Sequence, residues 1–441
     1  MTRAQRRVLF WFFITLFFVL APLAVLYTAG FRYNPTNGGL EKTGGISIVT
    51  SPRGADITLD GDRVGKSSPH VLKRLLAGNY TVHLEKRDFH PWEGTVDVLR
   101  GRTSFLESIL LFWDGEPELI VDMNGEAVGP SRDGEKFVYI DNADGWTEIW
   151  FVNIGEPRKM IDRVRTLEPT TSQNIIWSPN DELFAVLTNT FGGLYRRSGE
   201  RIDTDVLSLR VDEDIFWHPT NDYTIYRHGQ GGYETIEIVD DIAQAGVLED
   251  NLTFSMPTET LTFIQTPSHT ELHKQSNEGG GLVALLPRSD YQIAHRDAEK
   301  MILTNADGHL LLIDISVQQP ILLDVVATEF DWLEDSQKMV YTDGSEVNIY
   351  NASSHETTFV TRQGSALAAV EWHESGTHIL LASSNNITAS EAYKIAEKRI
   401  TTTLMEFDDI KTVWFDATSK YAYLFGVIDG GSGVHQLRLV K

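Results

Sequence analysis

Residues 175–181 read Ile-Ile-Trp-Ser-Pro-Asn-Asp and residues 215–222 read Ile-Phe-Trp-His-Pro-Thr-Asn-Asp. In each, an apolar strand ends in a large aromatic residue, a Pro/Asn/Asp turn follows, and a second apolar strand begins. Related segments recur at Pro130 (within 127–134, opening at Ala127), Phe254, Ala294, Trp332, Trp372 and Trp414, so that successive steps are 47, 40, 37, 40, 38, 40 and 42 residues. A near-constant step of this size is that of a four-stranded propeller blade. Eight units can be counted, and seven remains the alternative because the Phe254 unit is the least regular. The last unit stops at Leu437-Arg438-Leu439-Val440 after three strands, while Glu118-Leu119-Ile120-Val121 precedes the first unit unassigned. The N-terminal strand is therefore expected to complete the last blade and remove the free edges of the ring.

Upstream of the repeat, residues 44–112 alternate apolar and polar positions: Ile46 and Ile48, Ile57 and Leu59, Tyr80, Val82 and Leu84, Val96 and Val98. Ser51-Pro52-Arg53-Gly54, Asp60-Gly61-Asp62 and Ala77-Gly78-Asn79 punctuate them as turns. Short half-buried strands with such punctuation describe a small β-sandwich. An Asn/Pro/Gly-rich linker (32–43, with Asn34, Pro35, Asn37, Gly38 and Gly39) precedes it. Before that, residues 8–31 carry no charge. At about 1.5 Å per helical residue they exceed the ~30 Å hydrocarbon core of a bilayer. Arg3, Arg6 and Arg7 lie ahead of the segment and Arg32 is the first charge after it. The positive-inside rule then keeps residues 1–7 cytoplasmic and exports the rest. A cleaved signal peptide shares the basic start, but its apolar core is shorter and ends in a small-x-small site that is absent here, which favours a retained anchor.

Ser51-Pro52-x-Gly54-Ala55, Asp60-Gly61 followed by Gly65, Pro69 after Ser67-Ser68, and Leu76-Ala77-Gly78-x-Tyr80 resemble the PEGA domain family, with Arg53 where its name-giving glutamate would stand. The resemblance implies an extracytoplasmic, non-catalytic, surface-associated module joined to other domains. Trp177-Ser178-Pro179-Asn180-Asp181 and Ser131-Arg132-Asp133-Gly134-Glu135-Lys136 resemble the repeat of TolB-type propellers, in which an S-P-D-G turn joins the first two strands. That resemblance implies a bacterial envelope setting. The expected fold is all-β: a transmembrane helix (8–31), a PEGA-like domain (44–112) and a propeller (115–441).

The formal net charge is −24, and since residues 1–31 hold three Arg and no acid, the remainder carries −27. Such a surface repels phosphate backbones and excludes nucleic acid as the natural partner. The chain has no cysteine, which removes disulfides, thiolate nucleophiles and Cys-based metal sites together. Other catalytic signatures fail on spacing. The two histidines of His373-Glu374-Ser375-Gly376-Thr377-His378 are five apart where one helical face needs four. Gly430-Gly431-Ser432-Gly433-Val434 lacks the last glycine of a nucleophile elbow. Asp141-Asn142-Ala143-Asp144-Gly145 lacks the register and closing Glu of a calcium loop. His218, His295 and His373 share one repeat position and fit a turn role better than a metal site.

No cofactor or metal is expected, and no enzymatic activity. The candidate contacts are the loops between second and third strands of the blades: Asp141, Asp144, Trp146, Phe191, His228, Tyr233, Asp307, His309, Asp343 and Asp429. Trp146, Phe191 and Tyr233 are expected to serve as apolar platforms. The function this suggests is a membrane-anchored scaffold of the cell envelope binding a protein or cell-wall glycan. The alternatives are an envelope hydrolase or lyase and a structural subunit of a surface assembly.

Overall fold

A computed structural model describes the chain except residues 1–2, 36–37, 124–127, 167–169, 171–172, 203–208, 230, 278, 298, 318–319, 408, 429 and 441, with Ala127 and Asn37 therefore outside it. Among the described residues one helix, Arg3–Thr28, is followed by β-structure alone, apart from a single 3-10 turn at Glu334–Ser336. Its stretch Gln5–Thr28 is long and apolar enough to cross a membrane, and none of it is buried by the rest of the chain. Pro22 sits inside the helix without ending it. Where a linker was expected, Phe31–Asn34 pairs with Gly39–Lys42 as a hairpin. Thr43 donates its backbone N–H (2.8 Å) and its hydroxyl (2.7 Å) to the carbonyl of Gly30, which closes this excursion at its base.

Residues 44–110 form two sheets facing one core of Ile46, Ile48, Ile57, Val82, Leu84, Trp92, Val96, Val98 and Leu106. These are the alternating apolar positions of the sequence, since the side chains of a strand point to opposite faces in turn. Gly44–Ser51 pairs antiparallel with His70–Leu75 and parallel with Thr103–Leu110.

Downstream, the described residues form eight four-stranded antiparallel sheets. The first seven take their strands in chain order from residues 128–165, 173–202, 214–249, 252–287, 291–326, 329–362 and 367–406. The eighth joins Asp409–Phe415, Tyr421–Ile428 and Gly431–Arg438 to the early strand Glu118–Asp122, which pairs antiparallel with Gly431–Arg438. The unassigned N-terminal strand thus completes the last sheet. The two backbones meet closely at Gly433 (φ +152°), where a Cβ would stand 2.0 Å from the carbonyl oxygen of Val121.

Every sheet shares apolar core with the next. Val138 and Ile149 meet Phe184 and Tyr195 between the first and second. Leu187 and Leu194 meet Ile215 and Ile236 between the second and third, and Tyr226, Phe254, Phe263 and Tyr291 join the third, fourth and fifth. Leu312 meets Met339 between the fifth and sixth, Ile349 meets Val370 between the sixth and seventh, and Leu380 meets Leu424 between the seventh and eighth. The series returns to its start, because Trp414 and Phe425 of the eighth pack on Phe137 and Tyr139 of the first.

The repeated motifs explain this order. Trp177 and Trp217 donate their indole N–H to the carbonyls of Gly129 (3.1 Å) and Ile176 (3.3 Å) of the preceding sheet, so the aromatic column braces neighbouring sheets. The Asp of each turn does the same by charge-assisted hydrogen bonds. Asp181 accepts the backbone N–H groups of Arg132 and Asp133, both at 3.0 Å, and Asp222 accepts those of Asn180 from its backbone (2.8 Å) and its side chain (2.9 Å).

The small domain is docked on this assembly. Trp92 donates its indole N–H to the buried Glu391 (2.9 Å), and Glu397 donates its backbone N–H to the carbonyl of Thr95 (2.9 Å). Ile395, Ala396 and Ile400, from the connection between the last two strands of the seventh sheet, cover the small domain's core. Phe112 inserts between the seventh and eighth sheets, and Trp113 donates its backbone N–H to the carbonyl of Leu439 (2.7 Å).

Candidate functional site

In an antiparallel four-stranded sheet, the turn between second and third strands and the connection into the first strand lie at the same edge. At that edge of the third and fifth sheets a cavity of about 480 Å³ opens between Asp214, Phe216, His228, Tyr233, Asp290, Tyr291, Gln292 and Asn305. A second cavity of about 510 Å³, lined by first strands at Ile175, Trp177, Ile215, Trp217 and Ile293, shares Asp214, Phe216, Gln292 and Thr304 with it. The two form one joined hollow whose mouth carries Asp214, Asp290 and Gln292 beside Phe216 and Tyr291, aromatic walls with a few convergent polar groups, as in a ligand site.

The mouth is held by its own contacts. The His228 imidazole stacks on the Tyr233 ring at 4.4 Å between centroids, and Asp214 lies 3.7 Å from His228 Nδ1. Tyr233 donates its hydroxyl to Asp290 at 2.6 Å, and Gln265 donates its side-chain amide to the same oxygen. Burial, followed by the Asp290 carboxylate, pushes the Tyr233 phenol well above its ordinary range. Gln292 donates to Asp214 (3.2 Å), and Asn305 donates to Ser289 (2.8 Å). Two carboxylates thus face the opening with lone pairs to spare, since each accepts from neutral amide or phenol donors.

Of the residues expected to bind, His228 and Tyr233 line this mouth together, and Asp307 stands two residues beyond Asn305 in the next turn. The others lie elsewhere. The Trp146 ring is covered by the Arg163 guanidinium at 4.7 Å, Phe191 packs beside Phe184 and Tyr195, and Tyr233 is itself buried, so none of the three offers the expected open platform. Asp141 and Asp144 flank the turn into Trp146. Asp343 accepts the backbone N–H groups of Ser345 (2.9 Å) and Glu346 (2.8 Å), which hold its carboxyl below the ordinary range and commit it to its own turn. His309 faces Asp324 at 3.2 Å, and Asp429 lies outside the described residues. Sequence reasoning missed Asp214, Asp290 and Gln292 because only second-to-third-strand turns were considered, although Asp214-Ile215 and Asp290-Tyr291 both open first strands.

First strands also bring together the acids Glu329, Asp331 and Glu371. Burial first, then Asp331, Glu329 and Asp416, push the Glu371 carboxyl up to about 8. Asp331 accepts the backbone N–H of Trp372 at 2.8 Å and is itself raised by burial. None of the three lines the two cavities. The histidines of the His373–His378 turn pack edge-on against Phe112, and burial lowers them to about 4 and about 3. Among the described residues no group of three His, Asp or Glu is placed to hold a metal ion.

Residues 43–108 match the PEGA domain. The PEGA module coincides with the two-sheet domain just described, and the match ends before the eight sheets begin. No curated protein matches the chain. Among solved structures, Saccharomyces cerevisiae Sqt1 is similar at 11% identity and a TM-score of 0.46, covering 75% of this chain and 98% of that one. The computationally designed Ika8 protein is similar at 12% and 0.44, covering 73% and 99%, and a eukaryotic initiation factor at 11% and 0.44, covering 79% and 95%.

Proposed function

We propose that the chain is a membrane-anchored, extracytoplasmic binding scaffold of the bacterial envelope, whose eight sheets close as propeller blades around the two joined cavities. The observation that carries the binding role is the mouth itself: Asp214 and Asp290, set beside the stacked His228 and Tyr233, face a hollow continuous with the second cavity. With −27 on the exported part, the favoured partner is a protein segment that presents a Lys or Arg on an apolar flank. A ring closed by its own N-terminal strand is supported by the return of the core series from the eighth sheet to the first. A role without catalysis is supported by the Tyr233 hydroxyl, which is committed to Asp290.

The test is a photo-cross-linking amino acid at Gln292, which lines both cavities, in intact cells. The expected product is one discrete adduct that a protease removes and that weakens with Asp214→Ala. No adduct, or a protease-resistant one carrying sugar, contradicts a protein partner. A second reading, an envelope hydrolase or lyase, draws on Glu371, which carries a proton at neutral pH as a general acid does. Under it, Glu371→Gln abolishes turnover of an envelope glycan.

A further inference from the structure

The molecule is strongly acidic, yet its charge is not evenly spread. Three segments of the PEGA end meet beside the C-terminal end of the apolar helix: the hairpin and its base (31–45), the turn 73–79 and the turn 98–103. The contacts that gather them are explicit. The Arg74 guanidinium lies 4.2 Å over the Tyr27 ring of the helix and donates to its hydroxyl at 2.5 Å. Arg32 donates to the carbonyl of Arg74 (3.2 Å), and Gly101 donates its backbone N–H to the carbonyl of Thr43 (3.1 Å). Together these segments hold Arg32, Lys42, Lys73, Arg74, Arg100 and Arg102, all exposed, against one acid, Glu41. Glu41 is taken up by Arg100 (2.8 Å) and Asn34 (3.1 Å). Asp60 and Asp97 flank the patch, Asp60 accepting the backbone N–H of Thr81 (2.8 Å). Large apolar side chains stand exposed among the cations: Tyr33 at 60%, its cross-strand partner Leu40 at 51%, and Leu99 at 47%.

We propose that this basic collar is a docking surface for the anionic phospholipid headgroups of the membrane that the helix crosses. The proposal rests on the reading of Gln5–Thr28 as a membrane span. Two features favour lipid as the occupant. The collar is continuous with the helix end, so the spanning segment delivers it to headgroup height, and its mixture of cations with Tyr and Leu is that of an interfacial surface. Each net positive charge near an anionic surface strengthens attachment about fivefold, so the collar, net of the Arg100–Glu41 pair, holds the PEGA module and the sheets docked on it at a fixed tilt instead of letting them swing. The far end of the module, at Arg53, stays away from the bilayer, because Gly44–Ser51 spans eight residues at roughly 3.3 Å each.

The natural absence of cysteine makes the test clean. The full-length chain carrying Leu99→Cys or Arg53→Cys, labelled with a fluorophore, is placed in nanodiscs of phosphatidylcholine alone or mixed with phosphatidylglycerol, each with headgroup-spin-labelled lipid as quencher. The expected result is strong quenching at position 99 in the anionic discs, weaker quenching in the neutral ones, and little at position 53 in either. Lys73→Glu with Arg102→Glu, or salt raised to about 0.5 M on the unaltered chain, is expected to bring the anionic discs down to the neutral level. Equal quenching at position 99 in both lipids, with the chain embedded in the discs, overturns the collar alone. A chain that does not enter the discs overturns the membrane span and the collar with it.

Discussion

Glu371→Gln probes the half-buried acids directly. In the folded chain, burial and three neighbouring carboxylates raise Glu371 from 4.5 to about 8. A carboxyl whose folded pKa is raised contributes fully below its unfolded value, and the contribution is lost as pH rises through the folded value. The window is therefore from about 4.5 to about 8. At 1.36 kcal/mol per pKa unit, the loss across it is on the order of a few kcal/mol, which glutamine, with no proton to lose, does not incur. His373 and His378, lowered by burial, act in the opposite sense: their share is present above the ordinary histidine range and is lost as pH falls toward about 4 and about 3. Both chains keep these histidines, so the difference between them isolates Glu371. Thermal unfolding of unaltered and Glu371→Gln protein should give similar midpoints at pH 4.5 and a variant several degrees more stable at pH 8.5. An equal difference at both pH values would refute the reasoning.

Gly433→Ala, whose Cβ would meet the Val121 carbonyl at 2.0 Å, should destabilise by about 2–4 kcal/mol by chemical denaturation. Gly281→Ala, with open space around it, should stay within about 0.5 kcal/mol. Glu391→Ala removes the acceptor for Trp92 and for two backbone N–H groups of the docking loop, and should expose the Glu391–Ile400 connection to limited proteolysis before any other part of the seventh sheet. Tyr233→Phe breaks the bond to Asp290 and should lower stability by about 1 kcal/mol while weakening the Gln292 cross-link.

The elements were legible wherever a local pattern writes them. Alternation marked Ile46, Ile48, Val82 and Leu84, and all four are core. The 37–47-residue step marked the sheets, and the missing fourth strand at the C-terminus pointed to Glu118–Asp122. The hairpin after the helix was hidden because Asn, Pro and Gly read equally as linker and as turn, and no local pattern announces the bond from Thr43 to Gly30 that closes its base. The site was half legible. His228 and Tyr233 sit in a turn that the repeat locates, but Asp214 and Asp290 come from sheets two apart, and only the stacking order of sheets puts them at one opening. Trp146 and Phe191 misled because an aromatic residue beside a turn looks exposed in sequence, whereas Arg163 lies over the first and the second packs on the core between the first two sheets. The docking of the PEGA module through residues 391–400 has no signature at all, since it depends on one irregular connection meeting one sheet edge.

The early strand Glu118–Asp122 closes the proposed ring of sheets. Glu118 and Gln436 are direct antiparallel partners, and a Cα separation of about 4.5–5.5 Å in such a pair is within disulfide reach. In this cysteine-free chain, Glu118→Cys with Gln436→Cys should oxidise quantitatively to an intrachain disulfide, read as one linked peptide pair by mass spectrometry. Two free thiols under the same oxidant would mean that the series stays open.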